Sequence, residues 1–483
     1  MRRKIQKVMK HRSGLDRRLN GEILRLAIPS ILANITVPLV GIADTAIAGH
    51  IATSAGAGAA ALISAIAIGS TLFDLLYWNF AFLRVGTGGL TAQAFGSGDK
   101  VECGRVFVRA MTIALGCSLL LLLLHPLFLR LALLCIGSTP EIKELASKYF
   151  LIRIWAAPAT LGLMAFKGWF IGMQDSVSPM ATDIVVNVTN IAASILLASG
   201  ITLSDGRCLL PAMGFSGIAT GTVIAQYTGL LLAGCIFLLR YLRPLFLPVL
   251  RNVQGRIVPK LRAVFLGSQT SRFFRTGADL MVRSLCFIAV YIGYTVISSY
   301  YGDSLTAVCS IMMKLLMIFS YFTDGFAYAG EAMTGRYIGE GNALAMRSTV
   351  KWTFVWSFSL AALFMILYAF GGELLLRMMT SDELIIADAK AYLPWLLLMP
   401  PVGCAAFNWD GIYIGATASR QMRNSMLWAT VLFFGTFALG RIALPLSLRT
   451  PELLTHILMA AYFAHLLART VYLTIKYKTI TKL

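Results

Sequence analysis

LAIPSILANITVPLVGIADTAIAG, residues 26–49, is the stretch on which the reading of this chain turns. It is long enough to cross a bilayer, because a spanning helix needs ~20 mostly apolar residues. It carries a proline at each end of its first half, Pro29 and Pro38, and a single carboxylate, Asp44. An ionisable group in such a segment is costly to keep in hydrocarbon, so it is turned toward the bundle interior or a wet cavity and used there. Asp44 is therefore the first candidate site residue. The plainer alternative places it at the headgroup end of the helix as a boundary marker.

The rest of the chain repeats this texture. With 58% hydrophobic and 13% charged residues, the sequence is neither a soluble globular domain nor a disordered chain. Ten windows of at least 16 residues hold no Asp, Glu, Lys or Arg: 26–43, 45–73, 110–129, 184–204, 208–239, 284–302, 352–372, 391–409, 424–440 and 453–468. Two further apolar stretches, 151–172 and 305–330, carry charges within them, among them Lys167, Lys314 and Asp324. Together they predict an all-α polytopic membrane protein with twelve transmembrane helices. The basic start could mimic a secretory signal, but the apolar run is too long and a second one follows at once.

The formal net charge of +20 does not indicate nucleic acid. With both termini in the cytoplasm, most Lys and Arg fall on that side, as the positive-inside rule expects for an even helix count. An anionic inner leaflet would attract the basic segments Arg2 to Arg25 and Arg240 to Arg283. The eight cysteines have no CxxC spacing, and the histidines form no HExxH, so inert buried thiols are expected and a metalloenzyme is not. A bridge between Cys135 and Cys208 is conceivable but not favoured.

An internal repeat divides the chain. LTAQAFGSGD at 90–99 matches MTGRYIGEGN at 333–342, and GWFIGMQD at 168–175 matches GIYIGATA at 411–418, both at an offset of 243. Since that offset spans six helices, the two halves should share one orientation and be related by an axis along the membrane normal, with a cavity between them. The expected layout is a basic tail at 1–25, an N-lobe at 26–241, a connector at 242–264, a C-lobe at 265–476 and a tail at 477–483.

Helical spacing gathers the polar positions. Asp183, Asn187, Asn190 and Ser194 fall on one face of the fifth helix, and lipid offers such groups no partners. They either bond to another helix or line a cavity. Asp183 is expected near the cytoplasmic end and solvated. In the second half stand Asp279, Asp324, Glu331 and Asp410, with Arg336 and Arg283 as nearby counter-ions for Asp324 and Glu331. Arg84 could cap a helix or grip a neighbour. Lys314, in mid-helix, would need an acid partner or a shifted protonation. Glycines four apart (168 and 172, 217 and 221, 335 and 339, 411 and 415) suit close helix packing. There is no GxxxxGK[ST] loop, so the energy for any transport must come from an ion gradient or a partner.

Five segments resemble the multidrug and toxic compound extrusion (MATE) transporters, in the branch named after DNA-damage-inducible protein F. They are 28–50, 82–99, FIGMQDSVSP at 170–179, TDGFAYAGEAMTGRYIGEGN at 323–342 and DGIYIGATASRQMRNSM at 410–426. The resemblance implies two pseudo-symmetric six-helix lobes forming a V. It implies exchange of Na⁺ or H⁺ for amphipathic, commonly cationic, organic compounds, with no other cofactor. A monomer in the bacterial plasma (inner) membrane, with both termini cytoplasmic, is the expected setting. Asp44 falls on the family's carboxylate of the first helix, Pro29 on its bending proline and Asn190 on an asparagine of the fifth helix. Ser194 stands where relatives commonly have aspartate, which leaves one acid rather than a pair. The expected ion-coupling set is Asp44, Asn190, Ser194, Asn187 and Thr36, with Na⁺ at Asp44 and Asn190 as one option. Pro29 and Pro38 would bend the helix, and Asp324, Glu331, Asp410 and Arg84 are secondary polar candidates.

Two other classes were weighed. A flippase of lipid-linked precursors would carry several cations along its cavity for pyrophosphate, whereas the mid-helix charges here are mostly acids. A membrane-embedded receptor or enzyme would, if catalytic, show a nucleophile-and-base or metal constellation, and none is visible.

Overall fold

The computed structural model describes residues 2–55, 58–202, 208–246, 268–380, 382–445, 447 and 449–481. In chain order the helices are α1 (Arg2–Ala55), α2 (Ala59–Trp78), α3 (Ala81–Gly96), α4 (Lys100–Cys135), α5 (Pro140–Arg153), α6 (Ala157–Gly172), α7 (Val177–Ser199) and α8 (Phe215–Phe237). The second half holds α9 (Ser268–Ser299), α10 (Asp303–Gly339), α11 (Ala343–Met379), α12 (Glu383–Lys390), α13 (Leu393–Gly415), α14 (Ser419–Ala443) and α15 (Pro451–Ile480). α2 and α3 form one span broken at Asn79 and Phe80, and α5 and α6 form another through the 3₁₀ turn Ile154–Ala156. A short antiparallel hairpin, Ile201–Thr202 with Cys208–Leu210, links α7 to α8.

Among the described residues, eleven helical segments are long and apolar enough to cross a membrane. The expected twelfth is α13, which is 23 residues long and packs against α10, α11 and α15. Its Pro400, Pro401, Asn408 and Asp410 dilute its hydropathy rather than shorten it. The chain is thus an all-α polytopic membrane protein of two six-helix lobes, α1 to α8 and α9 to α15.

Two expected boundaries differ. Helix α1 begins at Arg2, within the segment expected as a basic tail, and the last part of that segment is packed: Leu19 and Ile23 are fully buried, and Trp356 Nε1 donates to Asn20 Oδ1 at 2.8 Å. At the other end α15 continues to Ile480. Most of the expected connector, residues 247–264 of it, lies outside the described residues, as does the side chain of Cys135; Cys208 is a free thiol.

The repeat has a physical basis at each matched segment. GSGD and GEGN are helix stops followed at once by helix starts. Gly98 and Gly341 take left-handed φ of 74° and 68°, a conformation that costs glycine nothing, and the amides of Asp99 and Asn342 bond back to Ala94 and Tyr337. The side chains of Asp99 and Asn342 then cap α4 and α11 by accepting from Glu102 and Ala345 amides at 2.8 and 3.0 Å. In the second matched pair, Gly168 and Gly411 let α6 and α13 lie on α3 and α10. A Cβ on either would fall 2.2 Å from the Arg84 carbonyl oxygen or 2.1 Å from that of Ala327, residues again separated by the repeat offset.

The lobes meet along α3 and α10. A Cβ on Gly96 would lie 1.9 Å from the Arg336 carbonyl oxygen, and one on Gly339 would lie 2.1 Å from that of Gln93, a reciprocal pair about the pseudo-twofold axis. Gln93 Nε2 also donates to the Gly415 carbonyl at 3.0 Å, and Gln174 Nε2 to that of Ala332 at 2.7 Å. These links lie in the half of the molecule nearer the termini. Farther out on α10, Ser310 and Lys314 are exposed.

Candidate functional site

Helix α1 stays helical through Pro29 and Pro38. Proline lacks an amide proton, which leaves the carbonyl four residues back without its helical donor. For Pro29 that carbonyl is Arg25, and Ser176 Oγ supplies a bond to it at 3.2 Å. Beyond Pro38 comes Asp44, only 5% exposed, with Oδ1 buried and, among the described residues, without a hydrogen-bond partner. The helix runs on from it to Ala55, about 16 Å at 1.5 Å per residue, so Asp44 does not mark the helix end. A pocket of about 490 Å³ lies just past it, lined by Ala46, Ile47 and His50 of α1 and Ile195, Ala198 and Ser199 of α7.

The neighbour of Asp44 that the sequence reading passed over is Arg153. Its guanidinium, at the end of α5, lies 4.8 Å over the Phe73 ring and donates to Tyr149 Oη at 2.9 Å. It attracts both Asp44 and Asp74 of α2, yet among the described residues it forms an ion pair with neither. Arg153 falls within the apolar stretch 151–172, beside a helix break, and Asp74 ends the charge-free window 45–73. Each interrupts an apolar run, and that was the available signal.

The other expected ion-coupling residues separate into two groups. Asn187 Nδ2 donates to Thr36 Oγ1 at 2.5 Å, which ties α7 to α1. Asn190 and Ser194 face α8 instead: Asn190 Nδ2 donates to Thr222 Oγ1 at 2.9 Å and Ser194 Oγ to the Ile218 carbonyl at 3.3 Å. Thr222 spends its own proton on the Ile218 carbonyl, so its oxygen can only accept. That fixes the Asn190 amide and leaves its Oδ1 buried without a donor, like Asp44 Oδ1. Neither Asn190 nor Ser194 hydrogen-bonds to Asp44. Thr222 was not singled out from the sequence.

At the floor of the cleft between the lobes, Arg84 Nη1 meets Glu331 Oε2 at 3.2 Å. Tyr328 lies under the guanidinium at 4.5 Å. Lys167 pairs with Asp183 at 2.6 Å, so Asp183 is bridged to α6 rather than simply solvated. The expected partners for the C-lobe acids are corrected by reach. Arg336 turns away from Glu331 to Glu340 and Glu22, at 2.7 and 3.5 Å, and Arg283 takes Asp410 at 2.5 Å. Arg469 joins it on Asp410, forming a buried triad. Asp279 is held by Arg423 at 2.6 Å and Ser419 at 2.8 Å. Among the described residues Asp324 has no ion pair, though Arg84, Lys167 and Arg283 all act on it. Lys314 is exposed on α10, in helical register with Tyr321 and Asp324, so its ammonium needs no buried partner.

The MatE family model matches the chain twice, at residues 29–196 and 280–437, once in each lobe and together over more than half of it. DNA damage-inducible protein F of Escherichia coli K12 is 33% identical over 420 residues, 87% of this chain and 85% of that protein. A probable multidrug resistance protein NorM from Caulobacter vibrioides is 24% identical, covering 92% of this chain and 89% of its own. Among solved structures, a MOP superfamily transporter from Pyrococcus furiosus superposes with a TM-score of 0.80 at 15% identity, over 96% of this chain and 97% of that one.

Proposed function

The chain belongs to the MATE family of multidrug efflux transporters, and on that premise we propose that it is a cation-coupled antiporter. In this reading it exports amphipathic, cationic organic compounds across the bacterial inner membrane, with both termini in the cytoplasm. The cleft open away from the termini is then the outward-facing state of an alternating-access cycle.

The observation that supports the reading is that Asp44 Oδ1 in the first helix and Asn190 Oδ1 on α7 are among several buried side-chain oxygens without a hydrogen-bond donor among the described residues. Buried polar groups are nearly always paired, so an orphan acceptor in a transporter calls for a proton, a water or a cation. Asp44 takes up H⁺ or Na⁺ from outside. Asn190, Ser194, Asn187 and Thr36 supply neutral polar groups on the flanking helix face and its contact with α1. Ion and exported compound exchange because each prefers a different state of the lobes; equal affinity for both would shift nothing. The acids Asp324, Glu331 and Asp410 offset Arg84, Lys167 and Arg283 along the cleft.

The test is efflux of a fluorescent organic cation from proteoliposomes under an imposed proton or sodium gradient. Asp44→Asn is expected to fold and insert normally but to lose gradient-driven efflux. Extrusion at the wild-type rate by that variant would refute the role of Asp44.

A further inference from the structure

Asp44 is not the only carboxylate in its neighbourhood. Asp74 lies on α2 next to Phe73, whose ring lies under the Arg153 guanidinium at 4.8 Å. Asp44 is buried with an orphan Oδ1, whereas Asp74 is exposed and, among the described residues, makes no hydrogen bond or ion pair. Arg153 is anchored between them by Tyr149 Oη at 2.9 Å and held by Phe73, short of closing on either acid. The titratable groups that act most strongly on Arg153 are Tyr149 of its own helix, Tyr77 and Asp74 of α2 and Asp44 of α1, and α8, packed against α5, brings Tyr227 up to Trp155 and Tyr77. One cation thus serves two acids, one turned inward and one outward.

The outward acid looks across the cleft. One helical turn beyond Asp74, Trp78 packs edge-on against Tyr291 at 5.3 Å and Phe287 at 5.5 Å, both on α9 of the other lobe. Tyr291, and Tyr321 of α10, lie near enough to Asp74 to feel its charge. A carboxylate beside a cluster of Trp, Tyr and Phe rings is the chemistry that recognises an organic cation lacking hydrogen-bond donors, through charge and ring quadrupoles together.

We propose that Arg153 is a counter-ion shared in turn by Asp44 and Asp74, and that Asp74 with Trp78, Phe287, Tyr291 and Tyr321 binds the cationic head of the exported compound. This rests on the role of Asp44 proposed above. When Asp44 is ionised it draws Arg153, and Asp74 is free to hold an organic cation. When Asp44 takes a proton or Na⁺ from outside, the guanidinium passes to Asp74 and its positive charge displaces the compound. Occupancy at Asp44 and at Asp74 then exclude one another, which gives each ligand the opposite state preference that antiport requires. A single acid on α1 suffices because the second member of the pair lies on α2, facing the cleft.

The experiment is binding of tetraphenylphosphonium to the purified full-length protein, at mildly alkaline and mildly acidic pH and with and without Na⁺. Wild type is expected to bind tightly only when Asp44 is ionised and Na⁺-free. Asp44→Asn should bind weakly under all conditions, because Arg153 then stays on Asp74. The double variant Asp44→Asn with Arg153→Gln should regain tight, condition-independent binding, a charge rescue that a merely structural role would not produce. Asp74→Asn, at an exposed position that leaves the core untouched, should bind about tenfold or more weakly, the equivalent of losing one charge-assisted contact. Failure of the rescue, or wild-type affinity in Asp74→Asn, overturns the shared counter-ion and the subsite while leaving Asp44 as the coupling acid. Wild-type efflux by Asp44→Asn is the separate result that removes the reading beneath it.

Discussion

Arg84 and Glu331 are joined across the boundary between the lobes, Nη1 to Oε2 at 3.2 Å, while Glu331 Oε1 has no hydrogen-bond donor and lies where residue 88 has no room for a Cβ. Glu331 is fully buried, so removing its partner leaves an uncompensated charge. Breaking such a pair from one side costs about 3–5 kcal/mol, whereas neutralising both members costs far less. Arg84→Gln should therefore destabilise the contact between the lobes more than the double variant Arg84→Gln with Glu331→Gln. Thermal unfolding in detergent, read alongside labelling of cysteines placed on the termini side of the cleft, checks the order.

Gly96→Ala and Gly339→Ala should each push the lobes apart. The added carbon would fall 1.9 Å from one backbone oxygen and 2.1 Å from another, and no side chain can rotate away to make room. Overpacking of this kind costs about 1–3 kcal/mol. The expected result is greater solvent access to the termini side of the cleft, measurable by hydrogen exchange in α3 and α10.

Ser194→Asp is expected to be poorly tolerated. Ser194 is fully buried, and a Cβ on Gly221 would already lie 2.6 Å from its Oγ. A larger, charged side chain buried in that packed site carries a desolvation cost, so the melting temperature should fall. A rise in stability on adding Na⁺ would mark a newly formed cation site.

Removal of residues 1–25 should destabilise the fold, not merely trim it. Ile23→Ala alone is expected to cost roughly 2–4 kcal/mol, typical of a fully buried aliphatic. Trp356→Phe, which strands Asn20 Oδ1, should cost about 1 kcal/mol. Denaturation midpoints in detergent decide both.

The architecture was legible because membrane solvation writes it into composition. Charge-free runs, the asymmetry of Lys and Arg, and the matched GSGD and GEGN turns each reflect a local physical demand. Gln174 and Thr417 show how deep the repeat goes: at the same offset, both hold left-handed φ, 63° and 52°, with no glycine to betray it. The site was legible only in part. Asp44 stood out as a lone charge in an apolar run, but Arg153 and Asp74 sit at the edges of such runs, where charges ordinarily mark a helix end. Partners were harder still. Arg336 was near Glu331 in sequence, yet helix direction carries it to Glu22 and Glu340, and the partner of Glu331 comes from the other lobe.

Helix α1 is one unbroken rod of 54 residues that belongs to both lobes. Its outer part carries Asp44 among α2 and α5, while its inner part is bolted to the opposite lobe by Asn34 donating to the Tyr321 carbonyl at 3.2 Å and by Glu22 on Arg336. A tilt of the outer part would therefore load both of these contacts with the opposite lobe. Pro29 and Pro38, each of which removes a helical hydrogen bond, set how much of that tilt the inner part receives.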